Sequence, residues 1–180
     1  MSVRVEVVCI DEDGAEQRRE VIVIERSELA METLGMNLAE GKALLAGVQD
    51  FVVAHQVDEH LKRQRTCASC GRRHTSKDTG SAPVKTVFGQ VDVSNPRWNR
   101  CVCETGGRKT FRPAKEWLHG RTSPELLYLE TKWASLLPFA RVASLLKEVL
   151  PVGESANHQT IRKHLQATAD RIEQELGGVL

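Results

Sequence analysis

Apolar and polar residues alternate at the start of the chain. Val3, Val5 and Val7 are interleaved with Arg4 and Glu6, the period of a half-buried strand. Asp11-Glu12-Asp13-Gly14 reads as a turn, with Gly14 supplying a positive φ, and Glu20-Val21-Ile22-Val23-Ile24-Glu25 as the return strand. Cys9 falls in the first strand, away from other cysteines, and reads as a small buried apolar residue. From Asn37 the period becomes helical. Asn37 can cap the helix and Glu40 can reach back to it. Leu38, Leu44, Leu45, Val48, Phe51, Val52 and Leu61 then keep helical spacing to about Gln64. His55 and His60 on this helix read as surface or interface residues. The helix closes on Lys62-Arg63-Gln64-Arg65, where positive charge suits its carbonyl end.

The strand pattern returns in Val84 to Val93, one β-rich run that Asn95-Pro96 breaks. Trp98 to Cys103 is expected to return as its partner strand, and the small, polar stretch from Thr75 to Pro83 to be a loop. The final third is helical. Ser123-Pro124 starts a helix running to about Leu137. Pro138 starts another, with Val142, Leu145, Leu146 and Val149 as its apolar face, and Pro151-Val152-Gly153 stops it. Asn157 caps a last helix with a stripe of Ile161, Leu165, Ile172 and Leu176. The last two helices, joined by a Gly-containing turn, resemble a helix-turn-helix, although the turn is longer than usual. The expected divisions are a hairpin and helix over 1–64, a cysteine-bearing ribbon over 65–112 and a helical region over 113–180.

Charge changes the picture of the middle division. The chain of 180 residues has a net charge of only +1. Residues 1–60 hold 5 Lys/Arg against 13 Asp/Glu, residues 61–121 hold 14 against 4, and residues 122–180 hold 6 against 7. A basic block between acidic or neutral ends is an electrostatic footprint for a phosphate backbone; the plain alternative is a solvated basic surface. No apolar run approaches the ~18 residues of a membrane span. Met1 to Asp13 lacks the basic-then-apolar pattern of a signal peptide. The expectation is a cytoplasmic protein with no membrane partner.

The same block carries the candidate chemistry. Cys67-Ala-Ser-Cys70 and Cys101-Val-Cys103 are two close thiol pairs separated by 30 residues. Such pairs can close a tetrahedral Cys₄ site around Zn²⁺, and Gly71 lets the chain turn so that both sulfurs of the first pair face one ion. His74 is the alternative ligand. Four thiolates leave no open position for water, so the site points to structure rather than catalysis. No Gly-rich phosphate loop, Gly-x-Ser-x-Gly or His-Glu-x-x-His occurs. On the last helix, Gln159, Arg162, Lys163 and Gln166 lie opposite the apolar stripe. Arg and Lys suit guanine edges or phosphates and Gln suits adenine, so this face is either a DNA-reading surface or an ordinary solvated one.

Several stretches stand in a definite order along the chain. They are Leu34-Gly35-Met36-Asn37-Leu38-Ala39-Glu40-Gly41-Lys42-Ala43-Leu44-Leu45, then Cys67-Ala-Ser-Cys70-Gly71, then Thr86-Val87-Phe88-Gly89-Gln90-Val91. Pro96-Arg97 before Cys101-Val-Cys103, and Leu145-Leu146 and Leu150-Pro151 before Thr160-Ile161-Arg162, complete the series. In this order they resemble the amino-terminal half of bacterial insertion-sequence transposases of the ISKra type. The resemblance covers about residues 30–176. It implies a DNA-binding region that recognises transposon ends, followed in that family by an RNase H-like catalytic domain. The chain ends at Leu180, before such a domain, so it is expected not to act as an enzyme alone.

The expected fold is α+β: an N-terminal β-hairpin, a long helix, a Cys₄ zinc ribbon and a C-terminal helix-turn-helix. Cys67, Cys70, Cys101 and Cys103 would hold a structural Zn²⁺. Arg72, Arg73, Lys85, Arg97, Arg100, Arg108 and Lys109 would position phosphate, and Gln159, Arg162 and Lys163 would read bases. The partners are double-stranded DNA and, beyond it, a second copy or a catalytic transposase chain. The alternative is a zinc-ribbon protein–protein adaptor whose acidic N-terminal third binds a basic partner.

Overall fold

The structure, a computed structural model, describes residues 1–104, 109–153 and 156–177. It is a mixed α+β chain with an N-terminal hairpin, a long helix and a cluster of four cysteines. It divides into two compact units, Met1–Val84 with Val91–Arg121, and Lys85–Gln90 with Thr122–Leu180.

In the first unit, β1 (Ser2–Ile10) and β2 (Glu16–Glu25) pair antiparallel. Asp11 closes the turn: its Oδ1 accepts the backbone N–H groups of Asp13 and Ala15 at 3.1 and 2.8 Å. Gly14 takes φ +79°, which favours glycine. The return strand begins four positions before the apolar alternation does. The polar stretch from Glu16 keeps pairing opposite Val7 to Ile10, since ladder bonds need no apolar side chains. Cys9 is half-buried, not enclosed as expected, because it lies in the outer half of this two-stranded ladder. The register shifts between Val5, opposite Ile22, and Glu6, opposite Glu20, leaving Val21 as the extra residue of a bulge.

That bulge sets the fit of α1 (Leu38–Gln64). Val21 occupies the space a Cβ on Gly47 would need, so only glycine lets helix and strand approach this closely. The capping box forms as the sequence implies. Asn37 Oδ1 accepts the Glu40 N–H at 2.8 Å, and Glu40 Oε2 accepts the Asn37 N–H at 2.9 Å. Glu40 also pairs with Arg26 at 2.6 Å, and Arg26 donates to the carbonyls of Thr33 and Gly35. Phe51 is buried beneath the Arg19 guanidinium, 5.1 Å from the ring centre. Val53, Val57 and Leu61 pack instead against Val84, Val91 and Val93. His55 and His60 are half-buried and make edge contacts with Phe51 and Trp117, as interface residues would.

The β-rich middle departs from the expected single long strand. Residues 84–93 belong to a hairpin, β4 (Ser81–Thr86) with β5 (Gly89–Ser94). The reversal is local: Thr86 Oγ1 donates to the Gly89 carbonyl at 2.8 Å and accepts the Phe88 N–H, while Gly89 takes φ +117°. The expected loop from Thr75 to Pro83 contains β3 (Ser76–Asp78) and the start of β4. Trp98 therefore does not return against residues 84–93. It lies in β6 (Arg97–Asn99), central in a three-stranded antiparallel sheet ordered β3, β6, β7 (Thr110–Phe111).

The second unit holds α2 (Pro124–Ala134), α3 (Phe139–Val149) and α4 (His158–Gly177), with the tip of the β4–β5 hairpin. Ser123 caps α2 through the Leu126 N–H, and Asn157 caps α4 through the Thr160 N–H. α2 ends at Ala134, short of Leu137, because the Trp133 carbonyl takes both the Leu136 and Leu137 N–H groups in a tight closing turn. Val142, Leu146 and Ile161 are fully buried with Leu126 and Val87, each contributing about 1.5–3 kcal/mol by leaving water. Val149, placed by its spacing on this face, is 45% exposed. The α4 stripe is used only at its start: Ile161 is buried, whereas Ile172 and Leu176 are exposed. Glu130 of α2, 1% exposed, hydrogen-bonds through Oε2 to His164 Nδ1 of α4.

Candidate metal centre and basic surface

The first cysteine pair follows directly on α1. Thr66 and Arg73 form an antiparallel bridge, and the Cys67 N–H donates to the Arg72 carbonyl at 2.9 Å. Inside that loop the Gly71 N–H donates to the Cys67 carbonyl at 2.9 Å, with Gly71 at φ +70°. This is the turn that Gly71 leads one to expect, and it aims both sulfurs the same way. The second pair follows β6, where the Glu104 N–H returns to the Cys101 carbonyl at 3.0 Å.

The two pairs meet. Sγ of Cys67 lies 3.4 Å from that of Cys103, and Sγ of Cys70 lies 3.3 Å from that of Cys101. All four sulfurs fall within 4.8 Å of one another. All are free thiols, well beyond the ~2.05 Å of a disulfide. A tetrahedral thiolate site with metal–sulfur bonds of about 2.3 Å needs sulfurs about 3.8 Å apart, inside the observed spread. The four cysteines can therefore hold a metal ion.

Their acid–base chemistry fits that role. The Cys103 backbone N–H and the neighbouring thiols bring the Cys101 thiol down to about 7. Hydrogen bonding with Cys101, then with Cys67 and Cys70, pushes the Cys103 thiol up. One thiolate thus forms near neutrality and crowding resists the next. A bound cation supplies the charge that removes the remaining protons. Cys67 is 2% exposed, whereas Cys70 and Cys103 lie at the surface. His74 is not part of the set. Its Nδ1 faces the Asn99 carbonyl at 3.1 Å, its Nε2 lies 3.6 Å from Glu104, and its ring stacks on Trp98. Glu104 lies below the usual carboxylate range, chiefly through its hydrogen bond from Arg100.

The anticipated phosphate contacts fall into distinct groups. Arg72, Arg73 and Lys109 are exposed and form no ion pair among the described residues. Arg97 is held by Asp78, and Arg100 by Glu104 at 2.9 Å. Lys85 is half-buried and belongs to the second unit, where its carbonyl accepts the Ser123 N–H. Arg108 lies outside the described residues. Gln159, Arg162 and Lys163 are exposed on the first turns of α4. Sequence reasoning missed Arg65, whose guanidinium lies 4.8 Å from the Trp98 ring centre, and also Arg112 and Lys115. The signal available was their place in the same basic block. No family model matches the chain, and no curated protein matches it.

Proposed function

We propose that the chain is a DNA-binding module whose first unit carries a zinc ribbon over residues 65–112 and whose last two helices act as a helix-turn-helix. The observation that carries the reading is the four-sulfur cluster flanked by the exposed cations Arg72, Arg73 and Lys109. Zn²⁺ is the metal that four thiolates in tetrahedral spacing suit best. Bound there, it would tie the two cysteine turns together and contribute folding free energy directly. The resemblance to ISKra-type transposases makes transposon-end duplex DNA the ligand. Arg72, Arg73 and Lys109 would contact phosphate, and Gln159, Arg162 and Lys163 would contact base edges from the start of α4. Arg97 and Arg100, held by Asp78 and Glu104, line a separate cleft.

The experiment is a set of titrations of transposon-end and scrambled duplexes at several salt concentrations. Changing Arg72 and Arg73 to Ala should weaken binding to both duplexes and flatten the salt slope by up to about two units. Arg162→Ala should cost about 1–3 kcal/mol on the preferred sequence and little on the scrambled one. Equal losses on both duplexes would remove α4 from the reading role.

One observation favours a protein partner as the second reading. Met1, Val3, Leu29, Leu34 and Met36 line an apolar cleft of about 620 Å³ in the acidic N-terminal third, and all five are more than 40% exposed. A wild-type chain that ignores every duplex would give the adaptor reading precedence.

A further inference from the structure

A second cleft, of about 600 Å³, lies wholly within the first unit and has a different chemistry. Arg97, Arg100, Arg112 and Lys115 line it against a single carboxylate, Glu116, with the Phe111 ring among them. The three arginines are held in place. Asp78 takes Arg97 through Oδ2 at 2.9 Å from Nε and stands 3.9 Å from Arg112. Arg112 also donates to the Asn95 carbonyl. Arg100 is fixed from Glu104 and lies over Phe111, 5.0 Å from the ring centre. Phe111 itself is braced edge-on by His74 and Trp98. Lys115 is exposed and forms no ion pair among the described residues.

Fixed cations with planar groups in a concave site are poorly suited to a duplex backbone, which needs a surface to lie along. They suit unpaired nucleotides. Bases stack on aromatic rings and on guanidinium planes, and the phosphates between them meet the cations. The volume falls in the range of small-ligand sites, about 300–1,000 Å³, enough for a nucleotide-sized group to enter. We infer that this cleft binds an unpaired stretch of a nucleic-acid strand, with a base against the Arg100 and Phe111 stack and its phosphates toward Arg112 and Lys115. The inference adds a second nucleic-acid site to the duplex contacts proposed above and rests on the nucleic-acid half of that reading. The adjoining cysteine turns place the cleft on the metal-stabilised part of the chain.

The test is fluorescence anisotropy at low salt on the full metal-loaded chain. The probes are oligo-dU and oligo-U of about 8 nucleotides, an abasic strand of equal length and a duplex. Binding of either pyrimidine strand, weakened about tenfold by Lys115→Glu and by Arg100→Ala with metal content unchanged, supports the site. The preference between the two strands identifies the sugar. Arg162→Ala should leave single-strand binding untouched. Three results would overturn the inference: no binding of either strand, binding that both variants leave intact, or equal affinity for the abasic strand. Single-strand binding without duplex binding would keep this site and remove the duplex reading. Duplex binding without single-strand binding would do the reverse.

Discussion

The buried contact between Glu130 and His164 governs how α4 is seated in the second unit. Glu130 is 1% exposed, and the His164 side chain is 22% exposed. His164→Ala removes the partner and leaves the buried Glu130 carboxylate without that hydrogen bond. Breaking one side of a buried pair in this way costs about 3–5 kcal/mol, a large share of the roughly 5–15 kcal/mol that holds a domain folded. Glu130→Gln keeps an acceptor for the imidazole and should cost nearer 1 kcal/mol. Replacing both residues with Leu should fall within about 1 kcal/mol of wild type or stabilise, because no polar group is then stranded. Urea unfolding followed by helical circular dichroism measures all four proteins. At an m value of about 1 kcal/mol/M, His164→Ala moves the midpoint down by about 3 M, enough to unfold a marginal unit in water. A His164→Ala cost below about 0.5 kcal/mol would refute the reasoning. So would a double Leu variant that loses as much as His164→Ala does, since the argument ties that cost to the stranded carboxylate.

Three further outcomes follow from the first unit. Elemental analysis should find one zinc per chain, lost in Cys70→Ser, and chelation should unfold the cysteine-bearing sheet before the helices of the second unit; a folded metal-free chain with four reactive thiols would contradict this. Gly47→Ala gains up to about 1 kcal/mol of helix propensity but drives a methyl into Val21, so it should destabilise by about 1–3 kcal/mol net, and adding Val21→Ala should recover most of that in urea titrations. Hydrogen bonding from Arg26, then from the Asn37 N–H, lowers Glu40 below its ordinary 4.5, so its contribution is complete above that pH and is lost as pH falls through the lowered value. Stability measured between about pH 5 and 2 should therefore fall less steeply in Glu40→Gln than in wild type, and identical slopes would remove Glu40 from the account.

What could be read from the sequence was what depends on near neighbours. The capping box at Asn37 and Glu40 uses groups three positions apart, so the start of α1 was visible without any tertiary knowledge. The first cysteine turn was visible because two thiols and a following glycine carry their own geometry. The hairpin at Thr86 was hidden inside an apolar run whose one turn marker is Gly89. Its tip residue Val87 is apolar because it enters the core of Leu126, Val142 and Ile161, all far off in sequence. Read along the chain, it looks like one more strand residue. β3 was missed for the opposite reason: Ser76 and Asp78 pair with Trp98 and Arg97 of β6 through backbone groups, and the polar strand leaves no apolar trace.

Charge shows the same limit in a form that bears on binding. The count over residues 61–121 identified a basic block, but a count cannot say which cations are held and which are open. Asp78 and Glu104 supply two of the four acids in that block. Both are used to fix arginines, Arg97 and Arg100, instead of diluting the charge evenly. A fixed arginine loses less side-chain freedom on meeting a phosphate than an unpaired one does, so part of the ordering cost is met on folding. Arg72, Arg73 and Lys109 remain exposed, and their attraction is long-ranged and screened by salt. The block therefore divides into an unpaired set, Arg72, Arg73 and Lys109, and a set fixed around Phe111; in the proposed binding the first would draw an anion in and the second would hold it in a defined place.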